Sequence, residues 1–176
     1  MPKYLNAGFL ISMALVVVVV ALSIVSFLNK DTEMDKLFDK YFEAYQGYPR
    51  VGEATNGEIS FAQAIDAYRS GDFHKSSKLL HTISASDTAT AEHFFFLGNS
   101  LLAQKPPKAG KAQDAFREVF KLKDGYINET KWYFGLASLK KKEKDAARTI
   151  LWEIARKGSG FKQAEARKIV DSLLED

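Results

Sequence analysis

The sequence has no cysteine, and that one absence removes disulfide frameworks, thiolate-held zinc and cysteine nucleophiles together, while leaving the redox compartment open. It also lacks an excess of charge of either sign. Against 25 basic residues stand 22 acidic ones, a formal net charge of +3, so no broad field exists to hold a nucleic-acid backbone. Histidine is scarce. His74, His81 and His93 have neither the carboxylate nor the spacing of a zinc-binding helix. Ser138-Leu139-Lys140-Lys141 spells Ser-x-x-Lys without companion motifs, and Gly110-Lys111 lacks the rest of a phosphate loop. Asn128-Glu129-Thr130 is a glycosylation sequon by letters, but asparagine is equally a helix cap. No pair of carboxylates in opposed environments is identifiable. With 176 residues, one compact domain is expected once an N-terminal segment is set aside. No catalytic residue, metal, cofactor or small-molecule substrate is expected, so the chain reads as a non-enzyme.

What is present begins with an apolar run. Ala7 to Leu28 holds 22 residues without a charge or a proline, and a helix of that length rises ~33 Å, enough for a hydrocarbon core. A cleaved signal peptide has a shorter apolar core of roughly 7–15 residues. Cleavage after the small pair Ala21-x-Ser23 would leave Ile24 to Leu28, still apolar, at the new terminus. Residues 1–6 are therefore expected to be a short tail and residues 7–28 a retained transmembrane helix. Lysine counts lean towards keeping the following domain inside, with Lys3 before the span and Lys30, Lys36 and Lys40 after it. A six-residue leader is nevertheless short enough to stay behind as a signal anchor, and large domains translocate largely regardless of charge. The expectation is a cytoplasmic N-terminus and a periplasmic or otherwise extracytoplasmic domain.

Residues 29–57 read as an amphipathic strap helix and linker. From Asp31 to Gln46 the spacing puts Leu37, Phe38, Tyr41, Phe42 and Tyr45 on one helical face. That face is expected to cover the first repeat; the alternative is a helix lying in the membrane interface. Gly47-Tyr48-Pro49-Arg50-Val51-Gly52 cannot continue it, and Asn56-Gly57 is a second turn signal.

From Glu58 the sequence repeats itself. Ala64, Ala67, Gly71-Asp72-Phe73, Ser76, Leu80 and Ile83 are followed by Phe94, Leu97-Gly98-Asn99, Leu101, Ala112, Phe116 and Val119. A third set comprises Trp132, Phe134-Gly135, Ser138, Ala147, Leu151 and Ile154. Phe61 and Phe95 stand 34 residues apart, the period of the tetratricopeptide repeat (TPR) family. The stretch from roughly Glu58 to Arg156 resembles that family. It departs from it at Lys105 to Gly110, which lengthens one turn, and at Lys140 to Lys144, which replaces a glycine-containing turn. The usual terminal prolines are also missing.

Independently of the resemblance, small residues at Ala64, Gly98 and Gly135 and at Ser76, Ala112 and Ala147 allow two helices to approach closely. Leu80, Phe116 and Leu151 then fill the space between successive pairs. Phe161 to Leu174, with Phe161, Ala164, Ile169, Val170 and Leu173 apolar, reads as the capping helix that shields an open repeat end. The expected fold is all-α: a transmembrane helix, then a short TPR-like α-solenoid of three helix pairs over 58–158 and a cap over 159–176.

The resemblance implies that first helices of successive pairs line a groove, with the second and fifth position of each repeat facing it. Those positions hold Glu58, Glu92 and Glu129, and Phe61, Phe95 and Trp132. An aromatic row beside an acidic row suits a protein partner with basic groups. The same residues have plainer uses, since Glu is favoured in any first helical turn and rings pack on one another. Of the basic clamp with which some TPR proteins grip a chaperone's C-terminal carboxylate, only Asn99 is present. The layout is similar to single-pass, N-terminally anchored TPR proteins of the bacterial envelope. That likeness implies a protein–protein interaction adaptor or scaffold, an accessory or co-chaperone subunit of a membrane complex. The alternative is a receptor-like reader of short apolar-basic peptides or targeting segments.

Overall fold

The computed structural model describes residues 13–20, 32–48, 56–157 and 160–175, with side chains in the third helix described from Ser60 onward. The chain divides into a unit ending at Thr32 and a compact unit from Glu33 to Asp176. In the first unit, α1 covers residues 13–20. Met13 and Leu15 to Val20 are each at least 51% exposed, so apolar side chains leave this helix on every side. The remainder of the expected span 7–28 lies outside the described residues, and α1 alone rises only about 12 Å. Among the described residues no helix is long and apolar enough to cross a membrane.

The compact unit is helical throughout its regular structure: α2 (Glu33–Tyr41), α3 (Asn56–Arg69), α4 (Phe73–Ser84), α5 (Ala91–Leu102), α6 (Ala109–Leu122), α7 (Ile127–Lys140), α8 (Lys144–Ala155) and α9 (Gln163–Glu175). From α3 onward each helix packs on the next in chain order. The result is three helix hairpins in a stack, α3/α4, α5/α6 and α7/α8, with α9 closing the end against α8.

The alternation of small and large residues makes this stacking possible. A Cβ on Gly98 would overlap the Phe116 ring, and one on Gly135 would lie 2.6 Å from Leu151 Cδ2. Both helix pairs therefore close to a distance that only glycine permits. Ala64 and Leu80 are fully buried at the corresponding level of the first pair. Ser76 and Ser100 meet through their hydroxyls at 2.9 Å in the same interior, so neither is left unsatisfied.

The turns explain one departure from the repeat pattern. Gly71 has φ +80°, and the Asp72 N–H donates to the Ala67 carbonyl at 2.9 Å. Lys142 takes the left-handed position in the third pair with φ +63°, and the Glu143 N–H donates to Ser138 O at the same 2.9 Å. The turn is conserved in shape although its glycine is replaced. Lys142 Nζ lies 3.5 Å from Asp35 Oδ2, a contact glycine could not make. Asn56-Gly57, which reads as a turn, instead opens α3; the first N–H groups of a helix need no intrahelical partner there.

The strap differs from expectation in both length and place. Its helix stops at Tyr41, and residues 42–48 continue without regular structure. That helix docks on α7 of the third pair rather than on the first, which only the irregular residues after it reach. Lys140 Nζ binds Asp35 Oδ1 at 3.0 Å and stands 5.3 Å from the centre of the Phe38 ring. Ser172 donates to Glu33 Oε1 at 3.0 Å, tying the strap to the cap. In α9 itself, Ala166 rather than Ala164 is buried, with Ile169, Val170 and Leu173, a spacing of three, four and seven.

Candidate partner-binding surfaces

The face formed by the first helices α3, α5 and α7, here termed the inner face, is occupied by the protein's own chain. Residues 42–48 cross all three helices in turn. Phe42 meets Tyr133 of α7 with ring centroids 6.3 Å apart, Tyr45 meets Phe95 of α5 at 5.0 Å, and Tyr48 meets Tyr68 of α3 at 6.2 Å. Tyr45 is the centre of this arrangement and also touches Phe96, Tyr126, Tyr133 and Phe161 edge to face. Such edge-on contacts align ring edges with ring faces and favour one fixed packing. Tyr133 Oη donates to the Glu43 carbonyl at 3.0 Å, which holds the strap backbone in place.

This geometry assigns the sequence-derived groove residues individually. Phe95 is 0% and Trp132 1% exposed, so both are core residues. Phe95 stacks on Tyr126 at 4.4 Å. Phe61 is buried as well, beneath His93 at 4.6 Å and beside Phe96 at 6.5 Å. The three rings therefore do not form one open row. Asn99 is buried, and its Nδ2 donates to the Phe95 carbonyl at 3.1 Å within its own helix. Glu92 accepts a 2.6 Å hydrogen bond from Tyr126 Oη, and Glu129 is half-buried near the same tyrosines. The side chain of Glu58 lies outside the described residues.

The electrostatics follow from burial. Desolvation pushes the phenols of Tyr45, Tyr126 and Tyr133 above their ordinary range. For Tyr126 the hydrogen bond to Glu92 acts in the same direction, since a phenolate there would face a carboxylate. Burial likewise lowers the imidazole of His93, against a smaller opposing effect of Glu92. His93 Nδ1 accepts from the Thr90 N–H at 3.1 Å and completes the cap of α5. Ser138 sits in a packing position: its Oγ donates to Phe134 O at 3.0 Å and accepts from Gln113 Nε2 at 2.9 Å.

Sequence reasoning missed the strap's path and its partners Phe96, Tyr126 and Tyr133. A signal existed. Phe42, Tyr45 and Tyr48 recur every three residues immediately before Pro49, a spacing that also suits an extended segment laid across parallel helices.

On the opposite side of α5 a second surface is open. The second helices α4 and α6 stand apart over it, leaving a valley of about 770 Å³. Phe94, Leu97 and Leu101 of α5 form its floor, and His74, Lys78 and His81 of α4 face Lys108 and Lys111 at the start of α6. Gln104 Nε2 donates to Ser77 Oγ at 2.7 Å and closes one end. Among the described residues no group of three or more His, Asp or Glu is placed to hold a metal ion.

No protein-family model matches the chain. No curated protein matches it either.

Proposed function

We propose that this protein is a membrane-anchored protein–protein interaction adaptor of TPR type, an accessory or co-chaperone subunit of a membrane or envelope complex. The observation that carries the proposal is the contrast within one stack: the inner face is sealed by the strap, while the outer valley leaves Phe94 and Leu101 partly exposed between charged walls. An apolar groove left open between charged walls suits a binding module. Anchoring is supported by the uncharged run 7–28 and by the outward-facing valines of α1. In this reading the N-terminus is cytoplasmic and the repeat unit extracytoplasmic.

Purification of the full chain from native membranes in mild detergent tests the adaptor reading. A stoichiometric protein subunit is expected to accompany it, and a chain that elutes alone at every detergent strength would overturn it. Protease added to intact spheroplasts should digest the repeat unit; digestion only after lysis would reverse the orientation.

One observation favours a second reading, a receptor for short apolar-basic peptides. Residues 42–48 lie across the inner face beside Glu92 and Glu129 much as a bound peptide would, so a ligand of that kind would have to displace Tyr45.

A further inference from the structure

Among the described residues the repeat stack contains two equivalent valleys, and side chains fill the one over α7. Aligning Gly98 with Gly135 and Leu80 with Phe116 places Arg117 where α4 has His81, and Phe120 where α4 has Ser84. In the second valley, over α7, the Arg117 guanidinium lies 5.7 Å from the Phe134 ring centre and Phe120 packs on the same ring at 5.8 Å. An ion pair from Lys131 of α7 to Glu153 of α8 bridges its far wall. Gln113 fills the remaining end by bonding Ser138 and, at 2.8 Å, Glu143. In the first valley the corresponding residues are His81 and Ser84, which carry neither the guanidinium nor the ring that cross the second. The Ser84 hydroxyl is buried at the valley's edge without a hydrogen-bond partner among the described residues.

The charges of the first valley are equally one-sided once pairing is counted. Asp114 and Glu118 are held at 2.6 Å by Arg117 and Lys121 of their own helix. Helix α4 carries no carboxylate. Lys78, Lys108 and Lys111 make no ion pair with any described residue, so three free ammonium groups stand around an apolar floor. Phe94, Leu97 and Leu101 recur at three and seven residues along α5, an apolar stripe about 10 Å long, which matches two turns of a helix laid along it.

We infer that the valley between α4 and α6 is the docking groove for an acidic amphipathic helix of a partner protein, its apolar edge on Phe94, Leu97 and Leu101 and its carboxylates on Lys78, Lys108 and Lys111. The inference rests on the adaptor reading for the existence of a partner and adds the partner's chemistry. Apolar contact supplies affinity in such a groove; the lysines select sign and speed association. A basic helix would meet three uncompensated like charges.

The test uses the full chain in phosphatidylcholine nanodiscs, with empty discs as baseline, and a fluorescent amphipathic peptide of about 18 residues bearing Leu on one face and Glu on the other. Saturable binding is expected, weakened at least about fivefold between roughly 50 and 500 mM salt as screening shortens the reach of the lysines. The triple variant Lys78→Glu, Lys108→Glu, Lys111→Glu should lose about tenfold or more and gain affinity for the same peptide with Lys in place of Glu. His81→Arg with Ser84→Phe, which fills the first valley as the second is filled, should abolish binding while the circular dichroism melt is unchanged. If the acidic peptide fails to bind, or binds the filled variant as well as the original, the groove assignment is wrong. Purification from native membranes separates the two levels. A partner retained equally by the original chain and the filled variant leaves the adaptor reading standing and removes the valley. A peptide that binds while no partner ever co-purifies keeps the valley and removes the adaptor.

Discussion

Phe94 and Phe95 are adjacent in α5, about 100° apart around the helix, and meet different surroundings. Phe95 is covered by Tyr45 and Tyr126, contributed from before and after its own hairpin, whereas Phe94 faces a valley that no other part of the described chain fills. The amphipathic pattern is the same kind of signal on both sides, an apolar residue at a helical repeat. The difference lies in what the chain places opposite. For the inner face that is a strap some fifty positions away in sequence; for the outer valley it is His81 and Ser84, where the next pair has Arg117 and Phe120. Periodicity reports which residues avoid water and not which residue covers them.

The largest effect should come from the core. Trp132→Ala removes a fully buried ring and is expected to cost about 3–5 kcal/mol of stability, measured by urea unfolding. A variant that melts like the original would mean the ring is peripheral rather than core. Tyr45→Ala follows, at about 1–3 kcal/mol, since its half-buried ring joins the strap to α5 and α7. This variant should also expose the inner face to a hydrophobic dye while leaving the valley peptide's affinity unchanged. If both move together, the two surfaces are coupled and the comparison fails.

Much of this fold was legible in the sequence because it is enforced by local constraints. Gly98, Gly135, Ala112 and Ala147 mark where helices must touch, and the letters alone locate three hairpins and a cap. What could not be read were choices made by tertiary packing. Phe42 to Gln46 keep a helical spacing, yet the chain leaves the helix there, and the irregular path lets Phe42, Tyr45 and Tyr48 reach three different helices. Asp35 has the same logic: its partners Lys140 and Lys142 lie more than a hundred residues on, so nothing nearby announced that the strap would dock on the third pair rather than the first. For the candidate site, the fifth-position rings were recognisable as important, but their importance is to the core.

Alkaline titration distinguishes the two sides next. Tyr45, Tyr126 and Tyr133 have folded-state values raised above the ordinary 10.0, with burial the main cause. The folded protein therefore holds these protons more tightly than the unfolded chain does. Their contribution to stability is complete below pH 10 and falls as pH rises beyond it. Urea midpoints should decline above that point, with tyrosinate absorbance from these residues appearing only as the protein unfolds. Replacing Tyr126 and Tyr133 by Phe should flatten the decline that remains after lysine titration is accounted for. Phenols that ionise near pH 10 in the folded protein would show the inner face to be wet.

The smallest effect is expected one residue away from one of the most buried rings. Phe94→Ala truncates a side chain that is half-exposed in the valley, so part of its surface already meets water and little cavity can form when it is removed. The loss should be about 1 kcal/mol or less, against about 3–5 kcal/mol for Phe95→Ala on the other side of the same turn. Because both changes remove the same atoms from the same helix, propensity and unfolded-state effects nearly cancel, and the difference measures coverage alone. The two variants should separate in the opposite sense when the acidic peptide is titrated. Phe94→Ala removes part of the floor and weakens binding; Phe95→Ala, in whatever fraction remains folded, leaves the floor intact. Equal stability losses at the two positions would mean that the valley is packed shut in solution, and that the two sides of α5 do not differ in the way their sequences and surroundings require.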